Sequence, residues 1–318
     1  MPLLNRQNAF EGNAGRSADP DSTEEILRRV VEREAPGART VAGAAGRRST
    51  WLETCANPQC RTGWMQLWRK RSVPVFEGGW SCSPGCTEAR VRAAVAREAK
   101  GRTAARAAHR HRIPIGLLML EQGWITENQL KGAVASQKQH GGRLGSWLVR
   151  QQGVSEELVT RALALQWSCP VLPVGAQDPA EAAPLVPRLF VDAFGAVPIR
   201  QTLGRVLYLG FEDRLDPVLA LAIGRMTGLR VECGVVPDAE FAQAQERALR
   251  AKYPPVELVE ASSEETLVRA LTRAIERSQP AEARLVRVHD FLWLRMTRKA
   301  GAAPSLETVE DVVGTIGI

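Results

Sequence analysis

Two close cysteine pairs offer the clearest chemistry in this sequence: Cys55 and Cys60 in a C-x4-C spacing, then Cys82 and Cys86 in a C-x3-C spacing, with twenty-one residues between the pairs. Two pairs of sulfur donors at this separation match tetrahedral S4 zinc ligation, whereas four unrelated buried cysteines would leave the paired spacing unexplained. Each pair must present two thiolates from one tight turn, and Asn57-Pro58 and Pro84-Gly85 supply the bends. Ser83 and Pro84 read as the N-cap and first residue of a helix through the alanine-rich run Glu88 to Ala99. Cys86 then falls in a first turn, where unpaired amides favour the thiolate that binds metal. Four protein ligands make the expected zinc structural, because a catalytic zinc keeps an open position. Cys169 and Cys233 stand alone and read as core residues.

The second pattern is an internal repeat. Pro114 to Gln137 lies over Arg143 to Gln166, two units of twenty-four residues separated by five. Ile115-Gly116 matches Leu144-Gly145, Met119-Leu120 matches Leu148-Val149, Leu130 matches Val159, Val134 matches Leu163, and Gln137 matches Gln166. Each unit reads as a short helix, a turn, and a longer helix capped by Thr126 or Ser155. Two such hairpins can pack as four helices, and Gly116 and Gly145 permit close approach to a helix or a flat ligand.

The second unit's R-L-G-x-x-L-V, with its later leucine and closing glutamine, resembles the tandem cyclic di-GMP-binding motif in the N-terminal domain of type II secretion and type IV pilus assembly ATPases. That resemblance implies that each unit contacts half of the dinucleotide. By position the second unit offers Arg143, Leu144, Gly145, Leu148, Val149, Leu163 and Gln166, and the first offers Ile115, Gly116, Met119, Leu120, Gly123, Val134 and Gln137. Two departures stand out. Pro114 occupies the place of the first leading arginine, with Arg112 near enough to substitute, and Gln152 replaces the second glycine, with Gly153 one residue late. The resemblance continues through Pro187–Phe194, Ala196–Ile199, Val206–Phe211, Asp216–Thr227, Leu229–Val235 and Asp238–Leu249, covering about Ile113 to Tyr253.

The elements that must position these residues divide the chain into segments. Residues 1–46 are polar and expected to be disordered apart from a marginal helix at Ser22–Glu34. Residues 47–104 form the zinc module and a basic helix, with short strands expected at Met65–Trp68 and Val73–Phe76, a layout resembling treble-clef fingers. Residues 113–174 hold the tandem helical hairpins and 175–254 an α/β subdomain. In 255–318 a helix at Ser263–Arg277 precedes an apolar segment, Leu285–Met296, that fits strand or helix, and then a polar tail. The fold class expected is α+β and multidomain.

With 318 residues, 44% hydrophobic and 24% charged, the chain has globular composition and room for about two domains. No apolar run is long enough to span a membrane and no signal-peptide layout opens the chain, so a cytoplasmic protein without membrane insertion is expected. No Gly-Lys pair occurs, which excludes a P-loop, and no nucleophile elbow or H-E-x-x-H is present. His109, His111, His140 and His289 read as surface or packing residues. The expected function is therefore non-enzymatic: a regulatory or adaptor protein that binds cyclic di-GMP or docks on a secretion or pilus component. A net charge of +7 supports a competing reading, a nucleic-acid-binding regulator. It would use Trp64, Trp68, Arg69, Lys70 and Arg71 with the basic stretch Arg90, Arg92, Arg97, Lys100, Arg102, Arg106, Arg110 and Arg112.

Overall fold

The computed structural model describes residues 54–61, 73–100, 112–175, 179–202, 205–301 and 304–316. The expectations for residues 1–46, Met65–Trp68, Trp64 to Arg71, and the linker with His109 and His111 lie outside the described residues.

After the first cysteine pair come β1 (Val75–Phe76) and β2 (Gly79–Trp80), an antiparallel hairpin followed by α1 (Pro84–Lys100). Arg90 of α1 donates to the carbonyls of Phe76 and Gly79, tying hairpin to helix. The helix is not a free cationic stripe: Arg92 pairs with Glu88 and Glu265, and Arg97 with Glu77 and Glu98.

The repeat forms four helices, α2 (Ile115–Glu121), α3 (Glu127–His140), α4 (Leu144–Gln152) and α5 (Glu156–Trp167). Their shared core includes Met119 with Leu148, Ile125 with Val154, and Ala133 with Ala162, each a pair of repeat-equivalent positions. Thr126 and Gln129 make a capping box at α3, and Ser155 accepts from Leu158 N–H at α5. α4 runs two residues further than α2, through Gln152, and Gly153, one position later than its counterpart, takes the left-handed turn at φ 66° that Gly123 takes at φ 69° in the first unit. The displaced glycine therefore preserves the turn.

Next come α6 (Arg188–Phe194), β3 (Ala196–Gln201), β4 (Val206–Phe211), α7 (Pro217–Thr227), β5 (Arg230–Val235) and α8 (Asp238–Arg250). β3 pairs antiparallel with β4, and β4 pairs parallel with β5 across the α7 crossover. Asp216 caps α7 by accepting from Val218 and Leu219 N–H, and Gly228 ends it in the left-handed region.

The last group is β6 (Val256–Ala261), α9 (Glu264–Ser278), β7 (Glu282–Val288), β8 (Phe291–Thr297) and β9 (Val309–Ile316), in the sheet order β6-β9-β8-β7. The ambiguous apolar segment is a β-hairpin, and the expected polar tail instead contains a strand inside the sheet. Its acid Asp311 is buried, accepting both Nε and Nη2 of Arg295 at 2.8 Å and Nε1 of Trp293 at 2.8 Å. A paired charge in a core reads as polar surface when its partner is not adjacent in sequence.

The architecture is α+β, with three small sheets among the described residues. Phe76, Val91, Ala94 and Val95 share a core with Leu267, Leu271, Ile275, Leu285 and Leu294, so the cysteine-bearing helix and the last sheet bury one another. Glu98, 6% exposed, locks this seam by accepting from Arg225 Nη2 at 2.7 Å and Arg287 N–H at 3.1 Å. No helix among the described residues is long and apolar enough to cross a membrane.

Candidate metal centre and ligand cleft

Asn57 folds the first cysteine loop: its side chain accepts from Gln59 N–H at 3.1 Å and its carbonyl from Cys60 N–H at 3.0 Å. Ser83 opens α1, its hydroxyl accepting from Cys86 N–H at 3.3 Å. These turns bring the sulfurs of Cys55, Cys60, Cys82 and Cys86 all within 4.8 Å of one another, with Cys60 to Cys82 at 3.5 Å and Cys82 to Cys86 at 3.6 Å. A tetrahedral S4 site with metal–sulfur bonds of about 2.3 Å has sulfur–sulfur edges of about 3.8 Å, so the donor set fits a metal of that kind. Trp80 packs over the cluster. Burial pushes the Cys55 thiol up to about 12, and a bound cation would favour its thiolate form.

The other two cysteines serve packing. Cys169 and Cys233 are half-buried against the α/β core, and burial pushes both thiols up, Cys233 to about 12.

A cleft of about 1020 Å³ opens between the helical repeat, α6, the loop before α7, and the start of α8. Of the repeat residues singled out by sequence, Ile115, Gln137, Arg143, Leu144, Gly145, Val149, Leu163 and Gln166 line it. The remaining six do not. Met119 and Leu148 are fully buried in the helical core, Leu120 packs against it, Val134 is half-buried, and Gly123 makes an exposed turn. Gly116 is packed so that a Cβ there would come within 2.5 Å of Leu130 Cδ1. Gly145 repeats that contact, its Cβ position 2.7 Å from Val159 Cγ1, so in both units the glycine admits the partner helix.

The two units face the cleft unequally. Gly142 and Ser146 line it, whereas their equivalents Ile113 and Leu117 are exposed to solvent. α3 and α5 are capped by side chains, whereas the leading helices α2 and α4 are not, and it is α4 whose first residues Leu144, Gly145 and Ser146 lie in the cleft. Its first-turn amides are left for another acceptor. Arg143 stands at that N-terminus; its Nη1 is buried without a hydrogen-bond partner, while its Nη2 lies 2.7 Å from Glu212 Oε1 and 2.9 Å from Asp238 Oδ2. Arg112 also lines the cleft, lying 3.5 Å over the Trp167 ring and donating to Gln166 O at 2.9 Å.

Sequence reasoning missed the opposite wall. Asp213, Asp216, Phe194 and His289 line it, and His289 Nε2 lies 2.5 Å from Asp216 Oδ2. His289 comes from the turn between β7 and β8, and no local pattern marks it. Asp238 is held above the usual carboxylate range by burial, with Arg143 opposing and Glu156 and Asp213 reinforcing the shift.

Comparison with known proteins gives a relationship for this region. Residues 167–252 match the family model of the MshEN domain. Over 144 residues the chain is 31% identical to the type IV pilus assembly ATPase PilB of Thermus thermophilus, an alignment spanning 45% of this chain and 15% of that protein. It is 25% identical over 144 residues to PilB of Myxococcus xanthus, covering 45% of this chain and 25% of that one. The aligned region is thus a minor part of the curated relatives. Among solved structures, MshE with cdg is 27% identical at a TM-score of 0.37, covering 43% of this chain and 99% of that chain. The N-terminal domain of XpsE is 23% identical at a TM-score of 0.32, covering 42% and 92%.

Proposed function

We propose that this chain, which carries an MshEN domain, is a cytoplasmic regulatory or adaptor protein that binds cyclic di-GMP in the cleft and holds a structural zinc in its cysteine cluster. The observation that supports it most is the convergence at the start of α4. Uncapped first-turn amides and Arg143 with its buried, unpartnered Nη1 suit a phosphate. Ile115, Leu144, Val149 and Leu163 beside them suit the face of a base. Arg112, held on Trp167 in the same cleft, supplies the cation that Pro114 withholds from the first unit.

Ligand-dependent docking on a secretion or pilus component is the proposed use of such a site, with the chain acting as a sensor and not as a motor. The sequence has no Gly-Lys pair for a P-loop. The nucleic-acid reading loses support because Arg90, Arg92 and Arg97 are taken up by carbonyls and carboxylates of their own fold.

Titration calorimetry with cyclic di-GMP on the wild type and on Arg143→Ala tests the proposal. Saturable heat in the wild type, lost in the variant, is the expected result. A variant that binds as tightly as wild type removes the site assignment.

A further inference from the structure

Arg143 belongs to the helical repeat, yet its guanidinium is held by the α/β part of the fold. Its Nη2 reaches Asp238 Oδ2 at 2.9 Å and Glu212 Oε1 at 2.7 Å. Asp238 opens α8 and Glu212 directly follows β4. Alongside, Glu156 of α5 accepts from Ala239 N–H at 2.9 Å, so this seam joins the repeat to the N-terminus of α8. Two carboxylates thus share one nitrogen of the fork, while Nη1 is buried and without a partner. A guanidinium gives its strongest recognition when two parallel N–H groups meet one anion, and that geometry is unused here.

We infer that Glu212 and Asp238 are internal competitors for Arg143 and set the affinity of the cleft, holding the arginine until a nucleotide phosphate takes their place. The inference rests on the nucleotide reading of the cleft. A phosphodiester at α4 engages both edges of the fork only if Nη2 turns from its carboxylates. The two acids also place an excess negative charge around the one arginine, which opposes an entering anion. Neither residue lies in the repeated motif, so affinity is tuned from outside the elements that contact the ligand. Removing a negative charge at either position therefore strengthens binding, the reverse of what removing Arg143 does.

The test is calorimetric titration of the full chain with cyclic di-GMP, comparing wild type, Glu212→Gln, Asp238→Asn, the double variant and Asp213→Asn, with thermal melts to show that each remains folded. Asp213 lines the same cleft and acts on Arg143 through its charge alone, whereas Glu212 and Asp238 hold the guanidinium directly. Each competitor variant should tighten binding about twofold to fivefold, the range that partly exposed ion pairs span, with the double variant tightest and Asp213→Asn changing least. Binding by the double variant alone supports the inference in its strong form. Wild-type binding that the competitor variants leave unchanged, or that Asp213→Asn tightens equally, overturns the inference and leaves the nucleotide site standing. Folded variants that all fail to bind overturn both.

Discussion

The side-chain amide of Gln166 donates to the carbonyl of Ile113 at 2.7 Å, joining the last residue of the second repeat unit to the residue ahead of the first. Gln137 does the same in the other direction, donating to Gly142 O at 2.9 Å just ahead of the second unit. The two hairpins therefore close reciprocally, each glutamine fixing the approach to the other unit's leading helix. Replacing either glutamine by alanine should cost about 1 kcal/mol in urea unfolding, the usual net worth of such a bond. Unchanged midpoints in both variants would show that the reciprocal closure contributes nothing to stability.

The two repeat glycines should answer differently to the same substitution. A methyl at Gly116 meets the end of the flexible Leu130 side chain, whereas one at Gly145 meets Cγ1 of β-branched Val159, which has little rotamer freedom. Alanine also favours helix over glycine by up to about 1 kcal/mol. Gly116→Ala should be near neutral, and Gly145→Ala should lose about 1–2 kcal/mol by overpacking. Chemical denaturation ranks them; the opposite order would refute the packing account.

Metal removal should reach well beyond the cysteine loops. Cys86 sits in the first turn of α1, and the same helix buries Val91 and Val95 against α9 and the last sheet. Purified protein should contain about one zinc per chain by elemental analysis, since one closed S4 site takes one ion. Cys86→Ser should lose the metal and lower the thermal midpoint, as should a strong chelator on the wild type. Metal-free protein that melts like the wild type would dismiss the structural role.

The pair formed by His289 and Asp216 gives stability a pH signature. The Asp216 hydrogen bond holds the imidazole above its usual value, against the effect of burial. Its stabilisation is complete below the unfolded value of about 6.5 and is lost as pH rises through the folded one. For Asp216, burial pushes the carboxyl up, but the His289 bond and the amides of Leu219 and Val218 outweigh it and keep it below its usual range. That contribution is present above the unfolded value of about 3.9 and is lost as pH falls through the folded one. Thermal midpoints of wild type and His289→Gln should therefore differ most in mildly acidic solution and converge on the alkaline side. A gap that stays constant with pH would contradict this.

Local signals in the sequence were legible and distant ones were not. The cysteine turns and the caps Thr126 and Ser155 satisfy groups within a few residues of themselves, so they can be read without the fold. Strand β4 appears in the sequence as an apolar run with the same ends, Val206 and Phe211. The hairpin of β7 and β8 is buried on both faces, at Leu285 and Val286 and through Leu292 to Met296, so its apolar run carries no period of two. The acids that hold Arg143 and the acid that pairs with Arg295 lie far along the chain or in segments that read as surface. The cleft's second wall was invisible for the same reason, since it assembles from α6, the loop before α7, and a turn in the last sheet.

The order of strands in that sheet has a consequence for how the molecule comes into being. β9 is the latest of the four in sequence but lies between β6 and β8, and β6 pairs with no other strand of its sheet. During synthesis the ribosome must pass Ile316 before β6 finds a partner or Arg295 meets Asp311. Until then the apolar side of α1, made far earlier, faces an unfinished sheet. Long-range pairing of this kind slows assembly and leaves the edges of β6 and β8 open to other chains until β9 has been made.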